Sequence, residues 1–157
     1  MSETKHTFLL PEELEKLENM ELAGRRQSLS QSLDAFLFCC YTGLRYSDFI
    51  NLSEKNIVTI DKRPWLVFNT VKTGAEVKLP LTFLFEGKAW KLLRKHKGHL
   101  SDFFSIKPNS TVNKELIRIG KIAGIEKHFS FHSARHTNAT LLIYRGANIT
   151  TVQKLLG

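Results

Sequence analysis

The order of apolar and polar residues along this chain predicts mostly helices, with one interval of short strands. A first short helix begins at Pro11, with Glu12 and Glu13 in its opening turn, where free N–H groups and the helix dipole favour acids. Gly24, Arg25, Arg26 and Gln27 interrupt the pattern. The next helix, over 28–41, is apolar nearly all round after Asp34 and therefore belongs in the middle of a core. Gly43 is its stop signal, so the residues that follow emerge from a fixed loop. Runs at 56–60, 65–70 and 77–81 read as strands, separated by turns at Asp61-Lys62-Arg63 and Thr73-Gly74, which makes an antiparallel meander. Helical spacing returns within 85–97, with Lys88, Lys91, Arg94 and Lys95 as a basic face. Ser110 is the expected cap of a helix with Val112, Leu116, Ile119 and Ala123 at core spacing, ended by Gly124. A further helix carries His132 and Arg135 and ends near Gly146; Asn148 caps a last one with Val152, Leu155 and Leu156 on one side. The expected fold is therefore α+β, mainly α-helical, with a small three-stranded antiparallel sheet and no internal repeat.

Composition narrows the class. The chain has 157 residues, 42% of them hydrophobic, which fits a single domain over 1–157. No apolar run approaches membrane-spanning length, and residues 1–10 lack the basic start and apolar core of a signal peptide. Cys39 and Cys40 are adjacent in an apolar helix, which suits buried free thiols in a reducing cytoplasm better than a disulfide or a metal site. The net charge of +8 is uneven: residues 1–21 carry −4 and the remainder +12. A dense positive field attracts a polyanion and releases its counterions. A solubilising surface charge is the plainer alternative.

Candidate chemistry lies in three places. Arg45, in Thr42-Gly43-Leu44-Arg45-Tyr46-Ser47-Asp48, has a planar, permanently charged fork able to grip two phosphate oxygens, and Asp48 can brace it with an ion pair. From this segment alone, a surface arginine paired with Asp48 is the better explanation. His132 and Arg135, in Phe131-His132-Ser133-Ala134-Arg135-His136-Thr137, lie one helical turn apart near a helix start, a setting that favours anions. A capping histidine beside a salt-bridging arginine is again an equal reading. His132 and His136 also have zinc-like spacing, but Ser133 stands where zinc proteases place a glutamate, and no third ligand is near. Lys72 sits at a hairpin tip, where an ordinary surface lysine is the commoner case; from the same place an ammonium can reach a departing alkoxide. His96 and His99 fall in a lysine-rich stretch and read as solvated. No phosphate-binding G-x-x-x-x-G-K string is present.

Taken together and in order, Thr42-Gly43-Leu44-Arg45 with Asp48, then Lys72-Thr73-Gly74, then His132-Ser133-Ala134-Arg135-His136-Thr137, strongly resemble the tyrosine recombinase (phage integrase) family. The resemblance runs from Leu10-Pro11-Glu12-Glu13-Leu14 to the closing Leu155-Leu156-Gly157. It implies a catalytic domain for site-specific DNA recombination or integration, using no metal and no cofactor. Arg45 and Arg135 match the pair that clamps the scissile phosphate, and Lys72 the lysine that protonates the leaving 5′ oxygen. His132 matches the histidine that assists proton transfer, and Asp48 the acid that supports the first arginine. The family's tyrosine attacks DNA and stores the bond as a 3′-phosphotyrosine. That tyrosine follows the Leu-Leu-Gly string, so none of Tyr41, Tyr46 and Tyr144 matches it. The resemblance thus implies a catalytic domain without its nucleophile and without the N-terminal core-binding domain, truncated at its C-terminal side. Double-stranded DNA is the implied partner, with the intact parent tetrameric on DNA and the fragment monomeric in solution. A non-catalytic DNA-binding module using the same basic face is the competing reading.

Overall fold

Helix α2 (Ser30–Thr42) is the axis of the structure, as its apolar run after Asp34 requires: every residue from Ser32 to Thr42 is buried. The computed structural model describes residues 7–146. The expected helix with Asn148, Val152, Leu155 and Leu156 lies outside those residues. Around α2 pack α1 (Pro11–Glu18), α4 (Lys88–Lys95), α5 (Leu100–Phe104), α6 (Asn109–Ala123) and α7 (Ser133–Tyr144). A fully buried aromatic cluster fills the space between them, with Phe49 in ring contact with Phe38, Phe103, Phe104 and Phe131. No helix among the described residues is long and apolar enough to cross a membrane.

The expected meander is present as β1 (Ile57–Ile60), β2 (Arg63–Asn69) and β3 (Glu76–Pro80), antiparallel and in sequence order. Its register pairs Ile57 with Leu66 and Leu66 with Leu79, which sets these side chains on one core-facing side. Asp61 and Lys62 turn from β1 into β2 with φ of 51° and 64°, as the twist of a two-residue hairpin demands.

Residues 24–27 do interrupt the pattern: Gly24–Leu29 forms a 3₁₀ turn between α1 and α2. Other expectations are corrected. Ser110 is not a cap: α6 begins at Asn109 with Pro108 before it, because the fixed φ of proline suits the entry to a helix. The short α3 (Tyr46–Phe49) and α5 have too few turns to show a period in the sequence.

His96 is not solvated. Its Nε2 lies 2.8 Å from Asp34 Oδ2, and its ring stacks on Phe103 with centroids 4.2 Å apart. Lys95 also reaches Asp34, at 2.8 Å, so two cations meet the acid that interrupts the apolar face of α2. Burial pushes the Asp34 carboxyl up, but the hydrogen bonds from His96 and Lys95 outweigh it and hold the group below its ordinary value. A depressed folded-state value stabilises the fold above the unfolded-state value and ceases to do so as pH falls through the folded one. The stability advantage of the protein over Asp34→Asn is therefore full at neutral pH. It fades in urea titrations as pH drops below about 3.9, the ordinary aspartate value.

Candidate functional site

The site is built where the C-terminal end of α2 meets α7. Gly43 ends α2 in the left-handed conformation, φ 78°, with its N–H donating to Cys39 O at 2.8 Å. A side chain there is excluded twice, by the backbone angle and by Asn138 Oδ1, which lies 2.8 Å from where a Cβ would stand. Asn138 belongs to α7 and donates to Cys40 O at 2.9 Å, so it locks the two helices at this point. The chain then turns through buried Leu44 and releases Arg45 in an extended conformation just before α3.

Arg135 comes from the first turn of α7 and is drawn to the same place. Its Nη1 donates to the carbonyl of Gly43 at 2.9 Å, so the loop that presents one arginine anchors the other. Burial lowers the Arg135 pKa; the positive charge of Arg45 acts in the same direction, and Asp48 opposes them. Two guanidinium groups held within range of each other repel, and an anion between them relieves that repulsion.

Asp48 is buried, and its Oδ1 accepts the N–H of Val71 at 2.9 Å. This bond ties the acid, three residues after Arg45, to the β2–β3 hairpin, one residue before Lys72. In that hairpin Thr70 N–H donates to Ala75 O at 2.9 Å, and Gly74 closes the turn at φ 73°. Lys72 is exposed at the tip. Arg45, Asp48, Lys72 and Arg135 all line one cavity of about 380 Å³, between the hairpin and the α2–α7 junction.

His132 stands at the head of α7, one turn from Arg135, whose N–H donates to the His132 carbonyl at 3.1 Å. It is not among the cavity-lining residues, and its ring meets that of His136 edge-on, with centroids 4.8 Å apart. The turn before α7 is closed by Ser133, whose Oγ accepts Ser130 N–H at 3.0 Å. Among the described residues, no three His, Cys, Asp or Glu side chains converge as a metal-ligand group. Asn138 was missed in the sequence, although its position one turn after Arg135 puts it on the same helix face.

Comparison with known proteins extends over nearly the full chain. Residues 7–157 match the model of the phage integrase family. A tyrosine recombinase of Pseudothermotoga lettingae is 33% identical over 96% of this chain and 51% of its own length. Tyrosine recombinase XerC of Rickettsia bellii is 27% identical over 98% of this chain and 54% of its own length. The chain thus spans about half the length of the curated relatives it matches. Among solved structures, lambda integrase residues 75–356 bound to DNA superimposes with a TM-score of 0.71 at 22% identity, covering 100% of this chain and 57% of that one. XerA recombinase gives 0.68 at 22% identity over 96% of this chain and 56% of its own. At that identity the superpositions speak for the fold.

Proposed function

We propose, from the premise that this chain belongs to the phage integrase family, that its 157 residues form the phosphate-binding catalytic unit of a site-specific DNA recombinase. The observation that carries the reading is the bond from Arg135 to the Gly43 carbonyl, which unites the two arginine motifs in one cleft with Lys72. A cleft of this kind suits a phosphodiester that must gain negative charge as it reacts. Arg45 and Arg135 grip the two non-bridging oxygens. A tyrosine phenolate attacks the phosphorus, its proton passing by way of His132. As the bond to the 5′ oxygen breaks, Lys72 gives that oxygen a proton, leaving a 3′-phosphotyrosine and a 5′ hydroxyl. Asp48 holds the hairpin so that Lys72 stays over the cleft. The linkage conserves the phosphodiester energy, so rejoining needs no metal, cofactor or external energy source.

None of the chain's three tyrosines is suited to attack. Tyr41 lines the cleft, but its hydroxyl is bonded to Glu18; burial and that carboxylate push the phenol well above its ordinary value. Tyr46 donates its hydroxyl to Lys107 O at 2.9 Å. Tyr144 is exposed at the far end of α7, nine residues and roughly 14 Å along the helix from Arg135. The clamp is supplied by Arg45, Lys72 and Arg135, and the proposed nucleophile is none of these three tyrosines.

Double-stranded DNA is the proposed partner. Lambda integrase is known as a tetramer bound to a Holliday junction, and the same assembly on DNA is proposed for the whole protein here, with this chain monomeric in solution. Buried free Cys39 and Cys40 fit a cytoplasmic setting. Electrophoretic mobility shifts on random-sequence duplexes test the reading. If three or more phosphates are neutralised, affinity falls more than about thirtyfold between roughly 50 and 200 mM salt. Salt-independent binding, or none, overturns it. A covalent adduct formed by this chain and lost in Tyr144→Phe overturns the assignment of the nucleophile.

A further inference from the structure

Each half of the clamp has an aromatic neighbour that takes no part in the cleft. Tyr46 directly follows Arg45, and Phe131 directly precedes His132. Their rings meet at right angles, centroids 5.6 Å apart, and Phe131 is fully buried against Phe36 and Phe49. This pair is a direct contact between the two motifs, at the base of the clamp rather than in its mouth.

A second pair of interactions runs from each motif to one common place. The Tyr46 hydroxyl donates to the carbonyl of Lys107, which leads into α6. The Phe131 N–H donates to Asn113 Oδ1, in the first turns of α6, at 2.8 Å. The segment that receives both is itself pinned. Lys107 Nζ lies 2.7 Å from Glu115 Oε2, and Ser32 of α2 donates to Glu115 Oε1 at 2.9 Å. The head of α6 is thus a fixed rail to which both phosphate-gripping loops are tied by single hydrogen bonds.

We infer that Tyr46 and Asn113 are positioning residues: through Lys107 and Phe131 they tie both arginine-bearing loops to the head of α6 and so set the separation of Arg45 from the His132–Arg135 pair. The inference rests on the clamp proposed above. Neither residue lines the cleft, so each acts only through the geometry of the groups that do. A grip on two oxygens of one phosphate depends on that geometry to within a fraction of an ångström, whereas the fold as a whole depends on it little.

The experiment is a titration of the chain with inorganic phosphate, following the arginine Nε–Hε signals by NMR, with Arg45→Lys and Arg135→Lys used to assign them. In the unaltered chain both signals shift along one binding curve. Tyr46→Phe keeps the ring contact and removes only the hydroxyl; Asn113→Ala removes only the acceptor. Each raises the phosphate dissociation constant about three- to tenfold, the change expected from one lost hydrogen bond expressed in the site. The double variant raises it further. Ile125→Val, a buried change away from the tethers, lowers the unfolding midpoint and leaves phosphate affinity unchanged. If the unaltered chain shows no shift of either signal, the clamp reading fails and the positioning role with it. If it binds, and both tether variants bind equally well, the clamp stands and this inference is wrong.

Discussion

Replacing Arg135 by alanine reduces affinity for inorganic phosphate by about ten- to a hundredfold, the range for losing a charge-assisted hydrogen-bonding partner of about 1.5–3 kcal/mol. The size follows from its place. Arg135 is half-buried, its guanidinium is oriented by the Gly43 carbonyl, and Arg45 stands near enough to repel it. An anion in the cleft therefore meets two preoriented forks with little reorganisation. Arg135→Lys recovers little of the loss, because an ammonium cannot hold the carbonyl and two phosphate oxygens in one plane. The alanine variant stays folded, since Asn138 still bonds Cys40 O and keeps α7 against α2. Isothermal titration beside a urea melt separates the two effects.

Phe49→Ala gives the largest loss of stability expected from a single substitution here, about 3–5 kcal/mol. Phe49 is fully buried at the end of α3, and its ring meets four others from α2, α5 and the turn before α7. Those neighbours are anchored on different elements, so the cavity cannot collapse. The urea midpoint falls with the slope unchanged, which identifies a stability change rather than a different unfolded state. Because Phe49 follows Asp48 and contacts Phe131, the loss also loosens the base of the clamp. At temperatures where the variant is still folded, its phosphate affinity is lower than that of the parent chain.

What the sequence made legible was periodic or local. The apolar stretch of α2, its stop at Gly43, the three strands and the helix carrying Arg135 all follow from spacing and turn chemistry within a few residues. The candidate residues Arg45, Lys72 and Arg135 came from the order of their motifs, and the structure puts them around one cleft with Asp48. What spacing could not reveal was which groups hold these residues in place. Asp48 meets Val71 across 23 residues, and Arg135 meets Gly43 across 92. His96 looked solvated because its partner, Asp34, lies 62 residues away on a helix whose burial hides the acid. Partners of this kind are set by how helices cross, and no local pattern records them. The short helices α3 and α5 were missed for the opposite reason, being too brief for a period to emerge.

Arg45, Lys72 and Arg135, which line the same cleft, are proposed to form one binding site for a single tetrahedral phosphate. Crystals of the chain soaked in tungstate test it most directly, because the anion has the phosphate's shape and its anomalous signal marks its position without bias. One dominant peak is expected in the cleft, between the guanidinium groups of Arg45 and Arg135 and within reach of Lys72. A cleft without tungstate while the anion occupies other basic positions, such as the lysine face of α4, would contradict it.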